Sequence, residues 1–171
     1  AYIGENFQIG QSRVILDPRT LAKLLEALDV QKDELVLDIG TGLGYSSAVI
    51  SLIAEVVIAV EDDSSLASEA EEILSEIGAD NVVVQVSKLK YGAPEHGPYD
   101  VIILQGGVEE IPDSILKQLK NGGRVGAIFI EEGLGTAKIG FKLHDKINWR
   151  YSFNAAAPIL KGFFKQKDFA L

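Results

Sequence analysis

The sequence predicts an α/β fold built on a doubly wound, mostly parallel seven-stranded sheet that ends in an antiparallel C-terminal hairpin. Three observations lead there. The stretch LVLDIGTGLGYS, Leu35 to Ser46, is an apolar run that breaks into alternating glycines. Strand-like and helix-like segments then alternate as far as Ile130, the rhythm of a parallel sheet with right-handed crossovers. Past Gly133 and Gly135, two extended segments at about 137 to 147 and 149 to 157 follow one another without a helix between them, as in a hairpin at a sheet edge.

Taken in order, residues 1 to 16 hold Gly4, Gly10 and short apolar pieces, the composition of a loop or short hairpin lying over the body of the protein. Asp17 and Pro18 then form a helix start, a capping residue followed by proline at the first helical position. Leu21, Leu24, Leu25 and Leu28 recur at helical spacing, so residues 18 to 29 read as an amphipathic helix. Leu35, Val36, Leu37 and Ile39 suit a strand covered on both faces, which need not alternate with polar residues. Gly40, Gly42 and Gly44 allow a sharp turn and the close approach of a ligand to backbone that carries no Cβ. Beyond them Ala48, Val49, Leu52 and Ile53 share a helical face, and the amides that open such a helix are unpaired and point into the turn.

The second strand of the βαβ unit is Val56 to Val60, running into Glu61. From Ser64 to Ile77 the expected buried face is Leu66, Ala70, Ile73, Leu74 and Ile77, opposite Glu69, Glu71, Glu72 and Glu76, with Gly78 as a stop. That acidic cluster reads as a solvated helix face. Asn81 to Val86 is a third strand, followed by a loop rich in glycine and proline and a fourth strand, Tyr99 to Leu104, ending in Gln105, Gly106 and Gly107. Ile111 to Lys120 reads as a short helix closed by Asn121, Gly122 and Gly123, and Arg124 to Ile130 as the fifth strand.

Composition bounds the function. A chain of 171 residues that is 47% hydrophobic and 24% charged can bury one sizeable core but not two ordinary ones, so a single domain over residues 1 to 171 is expected. The net charge of -9, with scattered lysines and arginines, argues against a nucleic-acid partner held by phosphate contacts. With no cysteine there is no disulfide frame, thiol nucleophile or cysteine metal site; no metal is expected, and cytoplasm is the default compartment. No apolar run reaches the roughly 20 residues that span a bilayer, so no membrane partner is expected either. The chain holds no methionine and opens in mid-pattern with AYIGENFQIG, which predicts a preceding segment.

The glycine turn and Glu61, 21 residues after Gly40, together point to a nucleoside ligand. An acid at the tip of the second strand of a βαβ unit is placed to accept both hydroxyls of a ribose. The glycine spacing is GxGxG, with Tyr45 where a dinucleotide fingerprint would carry its third glycine, and Asp38 stands two residues before the first glycine. These features resemble the S-adenosylmethionine (AdoMet) motif of class I methyltransferases more than an NAD site.

A closer resemblance covers about Phe7 to Pro158. IGQSRVILDPRTLAKLLEAL is similar to the substrate-loop and helix segment of the protein-L-isoaspartate O-methyltransferases, LVLDIGTGLGYSSAVIS to their AdoMet turn, and YDVIILQGGVEEIPDSILKQLKNGGRVGAIF to their fourth strand through fifth strand. The resemblance implies a Rossmann-like methyltransferase fold, AdoMet as cofactor, a protein or peptide with isoaspartyl residues as substrate, and methyl transfer to a carboxylate of damaged protein. It implies cofactor contacts at Asp38, Gly40, Thr41, Gly42, Gly44, Glu61, Gln105 and Gly106. A further contact is implied at Leu89, in the stretch Val86, Ser87, Lys88, Leu89 that replaces the family's acidic-glycine pair for the adenine amine.

The second departure lies in the substrate loop, where the family carries GQTISxP. Aligned on Pro18, its serine position is Leu16; aligned on Gly10 and Gln11, its threonine position is Ser12 and its serine position Val14. Ser12 is thus the candidate acceptor-contacting hydroxyl. Methyl transfer tolerates such a loss, because a carboxylate with a pKa of about 4 is already ionised at neutral pH and needs no base. His96 in a loop and His144 in an edge strand read as structural or surface residues. Other readings remain: a divergent methyltransferase for a different acceptor, a catalytically impaired AdoMet-binding or partner-binding protein that keeps the fold and has lost the substrate loop, and an NAD-linked oxidoreductase, for which no Ser-Tyr-Lys or histidine-acid set is evident.

Overall fold

The computed structural model describes residues 5 to 167. They open with a two-stranded antiparallel hairpin, β1 (Phe7–Gly10) and β2 (Arg13–Ile15), followed by helix α1 (Pro18–Leu28). The main sheet then builds through β3 (Leu35–Ile39), α2 (Tyr45–Ser51), β4 (Val56–Glu61), α3 (Ser64–Glu76) and β5 (Val82–Val86). Two single 3-10 turns lead to β6 (Tyr99–Val108), and a one-turn helix α4 (Asp113–Leu116) to β7 (Leu119–Glu131), β8 (Leu134–Leu143) and β9 (Lys146–Asn154). The order across the sheet is β5-β4-β3-β6-β7-β8-β9. β5 through β7 are parallel, and β8 and β9 are antiparallel to their neighbours. This is the expected doubly wound seven-stranded sheet with its antiparallel hairpin.

Strand order reverses between β3 and β6, the place where doubly wound sheets open a crevice for ligands. Successive residues of the parallel strands feed opposite faces. Val36, Val57, Val101 and Ile103 pack with the α1 leucines and Ile50 of α2. Leu37, Ile58, Ile102 and Val125 pack with Ile115 of α4, Leu89, and Leu160 and Phe163 of the C-terminal tail.

Four expectations change. The helix over Ile111 to Lys120 shrinks to four residues, because Gln118 is captured by tertiary bonds. Its backbone carbonyl accepts from the Tyr99 amide at 2.7 Å, and its side chain bridges the Tyr91 and Ser114 carbonyls and the Ala93 amide. Leu119 therefore already pairs with Tyr99, and Asn121 to Gly123 form a bulge within β7. The buried face of α3 is Ala67, Ala70 and Leu74, while Ile73 and Ile77 are exposed; the helix is rotated so that Ala70 and Leu74 sit against Gly44. His144 lies in the tight turn joining β8 and β9, where it and Asp145 both have positive φ. At α1, Asp17 makes no side-chain cap; its amide donates to Asn6 Oδ1 at 2.8 Å.

No helix among the described residues is long and apolar enough to cross a membrane.

Leu28 ties α1 to the sheet. It is fully buried over Gly126 of β7, where an added Cβ would lie 3.0 Å from Leu28 Cδ1. Leu28→Ala should therefore cost about 2–5 kcal/mol, the range for a large-to-small change in a closed core. Urea unfolding checks this, and a loss under about 1 kcal/mol would show that α1 does not clamp the sheet.

Candidate functional site

The site starts from the end of β3. Ile39 ends the strand, and the Gly40 and Thr41 amides both donate to the Val60 carbonyl, at 2.8 and 3.2 Å, so the glycine turn is stapled to the tip of β4. Gly42, at φ 61°, needs the left-handed conformation that glycine adopts without penalty. Gly44, at φ 89°, opens α2, and its bare Cα faces α3: an added Cβ would meet Leu74 at 3.2 Å and Ala70 at 3.3 Å. The third glycine thus serves helix packing.

Glu61 ends β4 with its side chain fully buried. One carboxylate oxygen accepts from the Gly42 amide at 2.8 Å and from Arg13 Nη2 at 2.5 Å; the other accepts from Arg13 Nη1 at 3.0 Å and from the Asp63 amide at 3.0 Å. Burial by itself would raise the Glu61 pKa, but the hydrogen bonds from Arg13 and Asp63 and the guanidinium charge outweigh it and hold the group at about 2. Arg13 also reaches Asp62 Oδ1 at 3.2 Å, and Asp62 is pushed above the usual carboxylate range by burial and by the adjacent Glu61.

Asp38, also fully buried, sits beside Ala59 and Ile103 in the sheet. One of its oxygens accepts from the Ser46 and Ser47 hydroxyls, both at 2.6 Å, and the other from Gln105 Nε2 at 2.9 Å. Thr41 Oγ1 lies 2.8 Å from Ser47 Oγ and completes the cluster. Burial raises the Asp38 pKa against the pull of these bonds. The network locks β3, the first turn of α2 and the tip of β6 into one unit.

Of the residues singled out in the sequence, Asp38, Gly40, Thr41, Gly42, Glu61 and Gln105 are brought together around the tips of β3, β4 and β6. Gly106 lies in an irregular stretch of β6 between Ile103 and Gly107; it is covered by Leu160, whose Cδ2 stands 2.6 Å from where its Cβ would be. Leu89 is buried in a 3-10 turn and lines two adjoining cavities of about 340 and 240 Å³, both bordered by Asp62 and Lys161. Lys88 borders the smaller one. Ser12 sits in the hairpin turn with φ 57° on the rim of the larger cavity. Leu16 and Val14 are buried in the core against α1, so neither faces an acceptor.

Sequence reasoning missed Arg13. Its signal was a lone cation beside the candidate loop, facing the acidic run Glu61, Asp62, Asp63 across 48 residues of chain.

The acceptor set fits a ribose: a carboxylate with both oxygens directed at one two-pronged partner, beside a glycine turn. The room is another matter. Ile9 Cδ1 lies 2.6 Å from where a Cβ on Gly42 would stand, and Arg13 Nη2 lies 3.4 Å from the equivalent point on Gly40. The hairpin therefore lies on the open face of the turn.

A doubly wound sheet with a glycine turn and a buried acid at the tips of adjacent central strands defines a nucleoside-site α/β protein. A family model described as protein-L-isoaspartate(D-aspartate) O-methyltransferase (PCMT) matches residues 1–147. The chain belongs to that family. It is 39% identical over 125 residues to protein-L-isoaspartate O-methyltransferase 1 of Nitrosospira multiformis, covering 73% of this chain and 53% of the relative. The protein-L-isoaspartate O-methyltransferase of Syntrophus aciditrophicus is 38% identical over 125 residues, covering 73% and 57%. The chain thus spans about half the length of these relatives. Among solved structures, a protein-L-isoaspartate O-methyltransferase superposes with a TM-score of 0.83 at 28% identity, over 91% of this chain and 51% of that one. A second, a beta-aspartate methyltransferase from Plasmodium falciparum in complex with S-adenosyl-L-homocysteine, shares the fold with a TM-score of 0.76 at 20% identity, over 94% and 81%.

The depressed pKa of Glu61 has a measurable consequence. A carboxylate held below its ordinary value of 4.5 contributes stability that is full above that value and is lost as the pH falls toward about 2. The wild-type urea midpoint should decline through that window, and Glu61→Gln, which has no charge to lose, should show a shallower acid limb. Parallel slopes in the two proteins would contradict the strength of the Arg13 pairing.

Proposed function

We propose that this chain is an AdoMet-dependent O-methyltransferase that transfers the methyl group to the carboxylate of isoaspartyl residues in damaged protein, with weakened positioning of the acceptor. The observation that carries the reading is Glu61: its carboxylate stands at the tip of β4, is oriented by the Gly42 and Asp63 amides, and offers both oxygens to one bidentate partner. A ribose diol is such a partner. Glu61 and the glycine turn would hold the nucleoside, Leu89 would border the adenine, and the Asp38 to Gln105 cluster would support the turn from behind. The sulfonium of AdoMet, when bound, supplies the electrophilic methyl group.

What the protein must add is alignment. The acceptor carboxylate is already ionised, so rate depends on holding it in line with the methyl group, and a small misplacement can cost about 100-fold. Leu16 and Val14 are buried and apolar, which leaves Ser12, on the cavity rim, as the hydroxyl of this segment that can reach an acceptor.

The experiment is transfer of labelled methyl to an isoaspartyl peptide and to its normal aspartyl twin, beside a family member that carries the serine. Transfer should be selective for the isoaspartyl peptide and about 100-fold slower than in that relative. Ser12→Ala should lower turnover further while leaving AdoMet affinity intact. Binding of AdoMet with no transfer to either peptide would point to a different acceptor or a binding role. Failure to bind AdoMet at all would overturn the proposal.

A further inference from the structure

We propose that the hairpin β1–β2 is a gate on the cofactor seat, latched by Arg13 on Glu61 and released when a ribose diol takes over the two oxygens that the guanidinium holds. The inference rests on the AdoMet reading above and adds to it a residue that sets cofactor affinity.

An ionised carboxylate has about four acceptor positions, and those of Glu61 are filled by the Gly42 amide, the Asp63 amide and the two Arg13 nitrogens. The two backbone donors belong to the frame of the site and cannot leave without undoing the turn or the start of α3. The Arg13 fork is the exchangeable pair, and it presents two donors to two oxygens as a vicinal diol would. A nucleoside can therefore engage Glu61 only by replacing Arg13.

The neighbouring contacts agree. Ile9, from the other strand of the hairpin, covers Gly42, and Arg13 covers Gly40, so the same element blocks both the ribose acceptor and the bare backbone beside it. The hairpin is anchored at its base: Asn6 donates to the Ala156 carbonyl at 2.7 Å and accepts from the Asp17 amide, and Leu16 is buried against α1. Its tip is held less firmly. Gln11 and Ser12 are exposed, and Arg13 Nε is buried with no partner among the described residues. An unmet buried donor makes the closed seat less favourable than its ion pair suggests. Once displaced from Glu61, the guanidinium still has Asp62 within reach, so opening need not strand its charge.

A site that is open only part of the time binds with an apparent affinity reduced by the open fraction. The test is calorimetric titration of S-adenosylhomocysteine into the full chain and into Arg13→Ala, Arg13→Lys and Ile9→Ala, each first shown to unfold cooperatively in urea. Arg13→Ala and Ile9→Ala should bind about tenfold more tightly than wild type, with Arg13→Lys between, since one ammonium cannot span both oxygens. The chain has no cysteine, so spin labels on Gln11→Cys and Lys117→Cys report the hairpin position without background. Their separation should change when S-adenosylhomocysteine saturates the wild-type background, and should already be changed without ligand in the Arg13→Ala background. Wild-type binding with equal or weaker binding by Arg13→Ala, or a separation that ligand leaves unmoved, would overturn the gate and leave the cofactor reading standing. No binding by any of the proteins would overturn both.

Discussion

A buried carboxylate must be met on every side, and the tip of β4 shows what that requirement organises. Glu61 has no access to water, so the free energy of keeping it ionised comes from the groups around it. Those groups come from three segments: the glycine turn through Gly42, the start of α3 through Asp63, and the N-terminal hairpin through Arg13. Removing any one of them leaves a charge partly unpaid in a dry place. The conformation of the turn, the position of α3 and the seat of the hairpin are thus coupled through one side chain.

The second acid of the site solves a similar problem with different chemistry. No cation pairs with Asp38 among the described residues; Ser46, Ser47 and Gln105 share its two oxygens. Neutral donors stabilise a carboxylate less than a guanidinium does, and the two groups accordingly move in opposite directions, Asp38 above the ordinary range and Glu61 below it. One cluster is suited to a fixed frame. The other, held by a side chain on a peripheral hairpin, is suited to exchange. The glycines divide in the same way: Gly42 leaves bare backbone beneath the hairpin, whereas Gly44 brings α2 within contact of Ala70 and Leu74 on α3.

The sheet carries these clusters because its parallel strands end together. Asp38 and Glu61 belong to adjacent strands in a regular register, Leu35 to Ile39 against Val56 to Val60, and Gln105 joins them from β6 on the other side. The irregular pairing of β6 with β7 beyond Ile103 frees Gln105 from that ladder, and the tail at Pro158 and Leu160 closes over Gly107 instead. The antiparallel strands β8 and β9 complete the sheet beyond β7.

The sequence by itself determined the elements whose cause is local or periodic. The apolar runs, the 3.6-residue spacing of Leu21, Leu24, Leu25 and Leu28, the glycine turn and the loss of helices after Ile130 were enough for the sheet, its order of elements and its terminal hairpin, and the turn with Glu61 was enough to point to the candidate site. Tertiary structure decided whatever depends on partners distant in the chain. The helical pattern at Ile111 to Lys120 gave way because Gln118 and Leu119 gain bonds to residues around position 99, and the face of α3 turned because Gly44 admits Leu74. Arg13 could not be matched to Glu61 from the sequence, since a salt bridge across 48 residues leaves no periodic trace. Leu16 and Val14 were legible as apolar, but only the fold showed that they point into the core. Local propensity acts on neighbours along the chain, whereas a buried charge selects its partners by proximity in space, and only the folded chain defines that proximity.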